Sequence, residues 1–138
     1  MLATARLLHA SLSVADLEAS VAFYGAAFGY TLALPPTDLG TAFAQMTGVP
    51  GARARLAQLQ ASGGGPALEL IASPQVPAPA AVPPAHVAFA VADLDAALAA
   101  ACAAGAEMLG EVVRFAEGRS AYCREPGGSV FELEELFE

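Results

Sequence analysis

The sequence predicts an α+β domain made of two copies of one unit, in which a strand is followed by a helix and further strands. The segment HASLSVADLEASVA at 9–22 matches HVAFAVADLDAALA at 86–99 without a gap. A second pair matches GGPALEL at 64–70 with GGSVFEL at 127–133. Each half therefore begins at a histidine and ends at a glutamate, as an internal repeat would. The 138 residues, 56% of them hydrophobic, suffice for one compact domain or two small modules.

The first half opens with a strand over 7–14, because apolar and polar residues alternate there. Asp16 then has the position of a helix N-cap, apolar residues follow at helical spacing, and Gly29 ends the helix. The two faces of the strand are predicted as an apolar one with Leu8, Ala10, Leu12 and Val14, and a polar one with His9, Ser11 and Ser13.

The second half repeats this order. Its strand covers 86–91, Asp93 caps the helix, and Gly105 ends it. Between the two repeats the pattern predicts a strand at 30–34, a break at Pro35 and Pro36, a helical turn near 41–47 and a strand at 53–60. Glycine-rich turns at 63–65 and 125–128 predict two hairpins, which join 53–60 to 67–72 and 119–124 to 129–134.

A Pro- and Ala-rich stretch at 73–85 is predicted to be an extended connector. It divides the chain into a first module at 1–72 and a second at 86–138.

Composition excludes several classes of partner. A formal charge of −8 with only six Lys and Arg disfavours nucleic acid and anionic lipid. No apolar run approaches the roughly 20 residues that cross a bilayer. The N-terminus lacks the pattern of a signal peptide, so the chain is expected to be soluble and cytoplasmic. Cys102 and Cys123 are expected to be ordinary buried thiols.

Four residues stand at equivalent places of the repeat and carry metal-binding chemistry: His9, Glu69, His86 and Glu132. They include both histidines of the chain, and strand alternation turns each away from the large apolar neighbours on its own strand. Two imidazoles and two carboxylates suit one divalent ion such as Zn, Ni, Co, Mn or Fe(II). Four protein ligands leave two positions of an octahedral ion open for substrate. The sequence therefore predicts a catalytic metal site.

The segments LLHASLSVADL, LEL, AHVAFAVADL and EPGGSVFEL resemble the four signature segments of the vicinal-oxygen-chelate superfamily. That group includes glyoxalase I, methylmalonyl-CoA epimerase, extradiol dioxygenases and antibiotic-resistance proteins such as the bleomycin resistance protein. The resemblance implies two βαβββ modules that form a cupped, incomplete β-barrel. It also implies that the family's metal ligands fall on the four residues named above.

The ligand set is similar to that of glyoxalase I, which implies proton transfer of the isomerase, lyase or epimerase type. By this resemblance Glu132 is the leading general base and Glu69 its counterpart across the metal. Glyoxalase I has an Arg and an Asn that hold glutathione where this chain has Ser13 and Ser73. A glutathione thioester is therefore disfavoured, and the acidic chain disfavours a CoA substrate.

Two other functions stay open. An extradiol dioxygenase would use Fe(II) with two His and one Glu, and the additional Glu69 argues against it. A binding or resistance module would enclose a small molecule without turnover. Residues expected to contact the substrate are Phe43, Met46, Arg55 (or its neighbour Arg53) and Tyr122.

The resemblance leaves two assemblies open. Family members build the cupped site either within one chain or by exchanging modules between the two chains of a dimer. The short separation between Glu69 and His86 favours an exchanged homodimer. Each site would then combine His9 and Glu69 of one chain with His86 and Glu132 of the other.

Overall fold

The computed structural model describes residues 4, 6–75 and 85–138, and this part of the chain forms two sheets and three helices without a closed barrel. The strands of the first sheet are β1 (His9–Ser13), β2 (Thr31–Asp38), β3 (Arg55–Gln60) and β4 (Ala67–Ala72). The strands of the second are β5 (Val87–Ala90), β6 (Glu107–Met108), β7 (Val113–Arg114), β8 (Gly118–Arg124) and β9 (Val130–Leu136). The helices are α1 (Leu17–Phe28), α2 (Ala42–Thr47) and α3 (Leu94–Ala103).

The two sheets repeat one topology. Their strand orders are β1-β4-β3-β2 and β5-β9-β8-β6, with β7 paired to β8. In each sheet the first strand lies at an edge, parallel to the last strand, which is antiparallel to the strand before it. The predicted α+β fold with two repeated modules is confirmed. The module limits at 1–72 and 86–138 stay a prediction, and most of the predicted connector, 76–84, lies outside the described residues.

The predicted helix caps are confirmed. The Asp16 carboxylate accepts the Ala19 N–H at 3.0 Å, and the Asp93 carboxylate accepts the Ala96 N–H at 3.1 Å. Gly29 closes α1 in the left-handed conformation with φ 70°, which glycine adopts at little cost. None of the described helices is long and apolar enough to cross a membrane.

Strand β2 departs from the prediction. It was expected to stop before Pro35 and Pro36, but it continues to Asp38, with register shifts on either side of Leu34. Because β2 is an edge strand, prolines without an N–H interrupt no inner ladder. Strands β6 and β7 were not predicted, since two residues each are too short to show a period.

Two burial predictions are wrong in part. Leu12 and Val14 on the apolar face of β1 are buried, but Leu8 is 64% exposed because it precedes β1 at the edge of the sheet. Cys123 is buried as expected, and burial raises its pKa to about 11. Cys102 is exposed, because the buried stripe of α3 runs along Leu94, Leu98 and Ala101 on another face of the helix.

Helix α1 joins the two modules in one core. The rings of Phe28 and Phe89 stack with centroids 4.1 Å apart, and Tyr24 lies 6.4 Å from Phe89 and 6.5 Å from Phe131. Leucines of both sheets pack into the same buried cluster. The helix-covered faces of the two sheets therefore share the core. Their opposite faces, which carry the histidines and glutamates, turn away from it.

A buried carboxylate also links α1 to the β8–β9 turn. Glu125 is 2% exposed, and its Oε1 accepts the Ser20 hydroxyl at 2.9 Å and the Ser129 N–H at 2.8 Å. The Tyr24 and Ser129 hydroxyls lie 2.8 Å apart. Glu125 Oε2 is buried without a hydrogen-bond partner in the described residues. Burial accordingly raises the pKa of Glu125.

Replacing Glu125 by Gln is expected to flatten the pH dependence of stability. A raised pKa means that the folded state holds the proton more tightly than the unfolded chain, whose pKa is near 4.5. The Glu125 contribution is therefore full below that pH and is lost as the pH rises through the folded pKa. Glutamine stays neutral and keeps Oε1. Chemical unfolding from pH 4 to 8 measures the free energy of unfolding.

The matched control is Glu111→Gln, which removes a carboxylate from an exposed position. It should leave the pH profile close to that of the unmodified protein. A Glu125→Gln profile identical to the unmodified one would contradict the assignment.

Candidate metal centre

The four predicted ligands form two separate pairs. His9 Nε2 lies 3.6 Å from Glu69 Oε2, and His86 Nε2 lies 3.3 Å from Glu132 Oε1. Within 6–75 and 85–138, no three His, Cys, Asp or Glu side chains converge on one ion. The described part of one chain therefore presents two half-sites, which is the grouping predicted for an exchanged dimer, and the four-ligand set stays a prediction.

The sheet register explains why each pair forms. Strand β1 places Ser11 opposite Glu69, and His9 stands two residues earlier. In the second module Ala88 lies opposite Glu132, and His86 stands two residues before it. The diagonal relation of His to Glu is thus the same in both parallel strand pairs. The two half-sites are equivalent positions of the repeat.

The His86–Glu132 pair has the spacing of two ligands of one divalent ion, and the His9–Glu69 pair is slightly wider. Bonds of about 2.1 Å meeting at 90–109° put two donor atoms roughly 3.0–3.4 Å apart. The observed separations are 3.3 and 3.6 Å. His9 Nδ1 is buried without a partner in the described structure, so no hydrogen bond to that nitrogen fixes the ring. Each glutamate side chain is 15% exposed or less, a setting in which a carboxylate benefits from a cation.

Two polar side chains hold the Glu69 carboxylate. The Ser11 hydroxyl donates to Oε1 at 3.1 Å, and Gln58 Nε2 donates to Oε2 at 3.0 Å. Gln58 lies directly opposite Glu69 on β3. Neither role could be recognised from the sequence. Strand alternation puts Ser11 on the same face as His9, but only the strand register shows that Ser11 and Gln58 flank Glu69.

The Glu132 carboxylate has different neighbours. Ala88 lies opposite it on β5 and Tyr122 opposite it on β8. The Tyr122 ring meets the His86 ring edge-on, with centroids 5.1 Å apart. The negative charge of Glu132 is the main cause that raises the pKa of Glu134, two residues further along β9. Tyr122 is thus the predicted substrate-contacting residue that the fold places beside a His–Glu pair.

The other predicted substrate contacts lie elsewhere. The Arg55 guanidinium pairs with Glu18 of α1, on the helix side of the sheet, and this hydrogen bond lowers the pKa of Glu18. A substrate contact for Arg55 would require that pair to open. The neighbouring Arg53 lies 3.5 Å from Asp38. Phe43 is half-buried and Met46 is 83% exposed, both on the short helix α2.

A cavity of about 330 Å³ opens beside His9 in the first module. Its lining includes His9 together with Arg6, Gln58 and Gln60. The volume falls in the range of small-molecule sites, and the polar side chains supply hydrogen-bonding groups next to a half-site. A small ligand could therefore contact His9 from this side.

A family model described as the Glyoxalase/Bleomycin resistance protein/Dioxygenase superfamily matches residues 6–133. Among proteins whose functions have been curated, none matches the sequence significantly.

Several solved structures share the fold. A glyoxalase family protein from Bacillus cereus is 24% identical, with a TM-score of 0.74 and full coverage of both chains. TnmS3, an antibiotic binding protein from Streptomyces, is 23% identical, with a TM-score of 0.68 over 99% of this chain and 100% of its own. A mutant of the fosfomycin resistance protein FosX from Listeria monocytogenes, complexed with Mn(II) and dihydroxypropylphosphonic acid, is 20% identical. Its TM-score is 0.65 over 94% of this chain and 89% of its own.

Proposed function

Because the chain belongs to the Glyoxalase/Bleomycin resistance protein/Dioxygenase superfamily, we propose that it is a metal-dependent enzyme that transfers a proton on a small substrate. The substrate would be chelated through adjacent oxygens, and the reaction would be of the isomerase, lyase or epimerase type. The observation that carries the proposal is the pair of equivalent His–Glu half-sites, of which the His86–Glu132 pair has the spacing of two ligands of one divalent ion. Proton transfer is favoured because each half-site contains a carboxylate.

The complete centre would form between two copies of the chain. His9 and Glu69 of one copy would meet His86 and Glu132 of the other, since one chain keeps the two pairs apart. Strands β1 and β5 both lie at sheet edges, where unpaired N–H and C=O groups can accept a further strand. Leu7 and Leu8, which directly precede β1, are 70% and 64% exposed and supply apolar surface for such a contact.

In this centre the two imidazoles and two carboxylates would hold the ion. When bound, a divalent ion lowers the pKa of a substrate C–H next to a coordinated carbonyl. Glu132 would take that proton at a carboxylate oxygen and return it to the adjacent carbon. Tyr122 would border the bound substrate beside His86.

Metal content and turnover test this proposal in one set of variants. The purified protein should take up about one divalent ion per chain, and Mn(II) is the first ion to try because the FosX relative was solved with it. Glu132→Gln is expected to abolish turnover while weakening metal binding less than His86→Ala, because Gln keeps one oxygen donor. Elemental analysis measures the metal. A screen of hemithioacetals, acyl-CoA epimers and catechols measures proton exchange and oxygen uptake.

The outcomes separate the function classes. Proton exchange at carbon without oxygen uptake supports the proposal, whereas oxygen uptake with catechols would replace it by a dioxygenase. Failure to bind Zn, Ni, Co, Mn or Fe(II) would contradict the metal centre.

A binding module without turnover is the second candidate. The cavity beside His9 supports it, because it is large enough for a small molecule whether or not a metal is present. Tight binding of a compound to the metal-free protein, with no product after metal addition, would favour this function over the enzyme.

A further inference from the structure

The internal repeat is broken at the two positions that flank the metal-binding carboxylates. On the edge strands, Ser11 faces Glu69 where Ala88 faces Glu132. On the inner strands, Gln58 faces Glu69 where Tyr122 faces Glu132. Two hydrogen-bond donors in the first module thus correspond to a methyl group and an aromatic ring in the second.

We propose that Ser11 and Gln58 are positioning residues that orient the Glu69 carboxylate for the metal ion. This inference rests on the proposed metal centre. It assigns a role to two side chains that the second module does not repeat.

The contacts of Glu69 constrain both of its oxygens. Ser11 donates to Oε1 at 3.1 Å and Gln58 donates to Oε2 at 3.0 Å, so rotation of the carboxylate would break at least one hydrogen bond. A ligand oriented in this way before the ion arrives loses less freedom on binding, which is how outer partners strengthen metal sites. Glu69 is therefore built to hold the metal.

Metal titration tests the proposal without a substrate. Using the full-length protein and Mn(II) or Zn(II), we expect Ser11→Ala and Gln58→Leu each to weaken metal binding by about 10-fold. Neither should weaken it further in a Glu69→Gln background, because both act through that carboxylate. Ser11→Thr keeps the hydroxyl and should restore the affinity.

Thr31→Val is the control. Thr31 lies on β2 and its hydroxyl donates to the Gln60 carbonyl, so its loss should leave the metal affinity unchanged. The melting temperature of each metal-free variant separates positioning from folding. We expect it to stay within a few degrees of the unmodified protein for Ser11→Ala and Gln58→Leu.

Two failures can be told apart. If the unmodified protein binds the ion while Ser11→Ala and Gln58→Leu bind it equally well, the positioning role is overturned and the metal centre stands. If the unmodified protein binds none of these ions, the metal centre itself is overturned, and the positioning role with it.

Discussion

A mixed dimer of His9→Ala and His86→Ala chains is expected to regain one complete metal centre, although each variant alone has none. In the exchanged arrangement, the first module of the His86→Ala chain would meet the second module of the His9→Ala chain, and both keep their histidines. The other centre of that dimer would lack both histidines. Removing a histidine ligand alone should weaken metal binding by about 100-fold or more, because no neighbouring side chain can replace the imidazole.

Coexpression with two different affinity tags isolates the mixed dimer. Elemental analysis should find about half the metal of the unmodified dimer, since one centre of two is intact. The control is a mixed dimer of two His9→Ala chains, which should stay metal-free in both arrangements. If centres formed within one chain, the His9→Ala and His86→Ala mixture would also stay metal-free, and the shared centre would be excluded.

The repeat explains why so much of the fold could be predicted. The same pattern recurs at 9–22 and 86–99: a His in a strand, then an Asp cap and an apolar helical stripe. Each half therefore supports the interpretation of the other. Local signals of this kind are carried by a few neighbouring residues. The structure confirms both Asp caps and the strand that precedes each of them.

The predictions of where β2 ends and of which cysteines are buried failed because both depend on contacts between residues that are distant in the sequence. Pro35 and Pro36 end a strand in an inner position but are tolerated in β2, and only the sheet order shows that β2 is an edge. Cys102 and Cys123 look alike in sequence, yet one faces outwards on α3 and the other is buried in the sheet. Burial of a single small side chain depends on which face its element turns to the core.

The candidate site shows the same limit. Strand alternation predicts which way His9 and Glu69 point, and the structure pairs them at 3.6 Å. Alternation says nothing about which strands are neighbours, so it could not assign Gln58 to Glu69 or Tyr122 to Glu132. It also could not show that α1 joins the modules by their covered faces, which keeps the two His–Glu pairs apart.

Replacing Gly127 by Ala is expected to destabilise the protein by at least about 3 kcal/mol, because the contact between the two modules has no room for a methyl group. A Cβ at this position would lie 1.7 Å from Ser20 Oγ and 2.6 Å from the Asp16 carbonyl oxygen. The Gly127 carbonyl also accepts the N–H groups of Ala15 and Asp16 at 2.9 and 3.2 Å. Moving the turn away would break these bonds and disturb the buried Glu125. Chemical denaturation measures the loss.

Gly63→Ala provides the control, since a Cβ there has no heavy atom within 4 Å and should change the free energy of unfolding little. Ser20→Ala removes the nearest obstructing atom, so the double variant Gly127→Ala, Ser20→Ala should lose less stability than the sum of the two single variants. Additive losses would show that the steric conflict lies elsewhere. A rescue would establish that the close approach of α1 to the β8–β9 turn holds the modules together, with each His–Glu half-site on the outward face of its sheet.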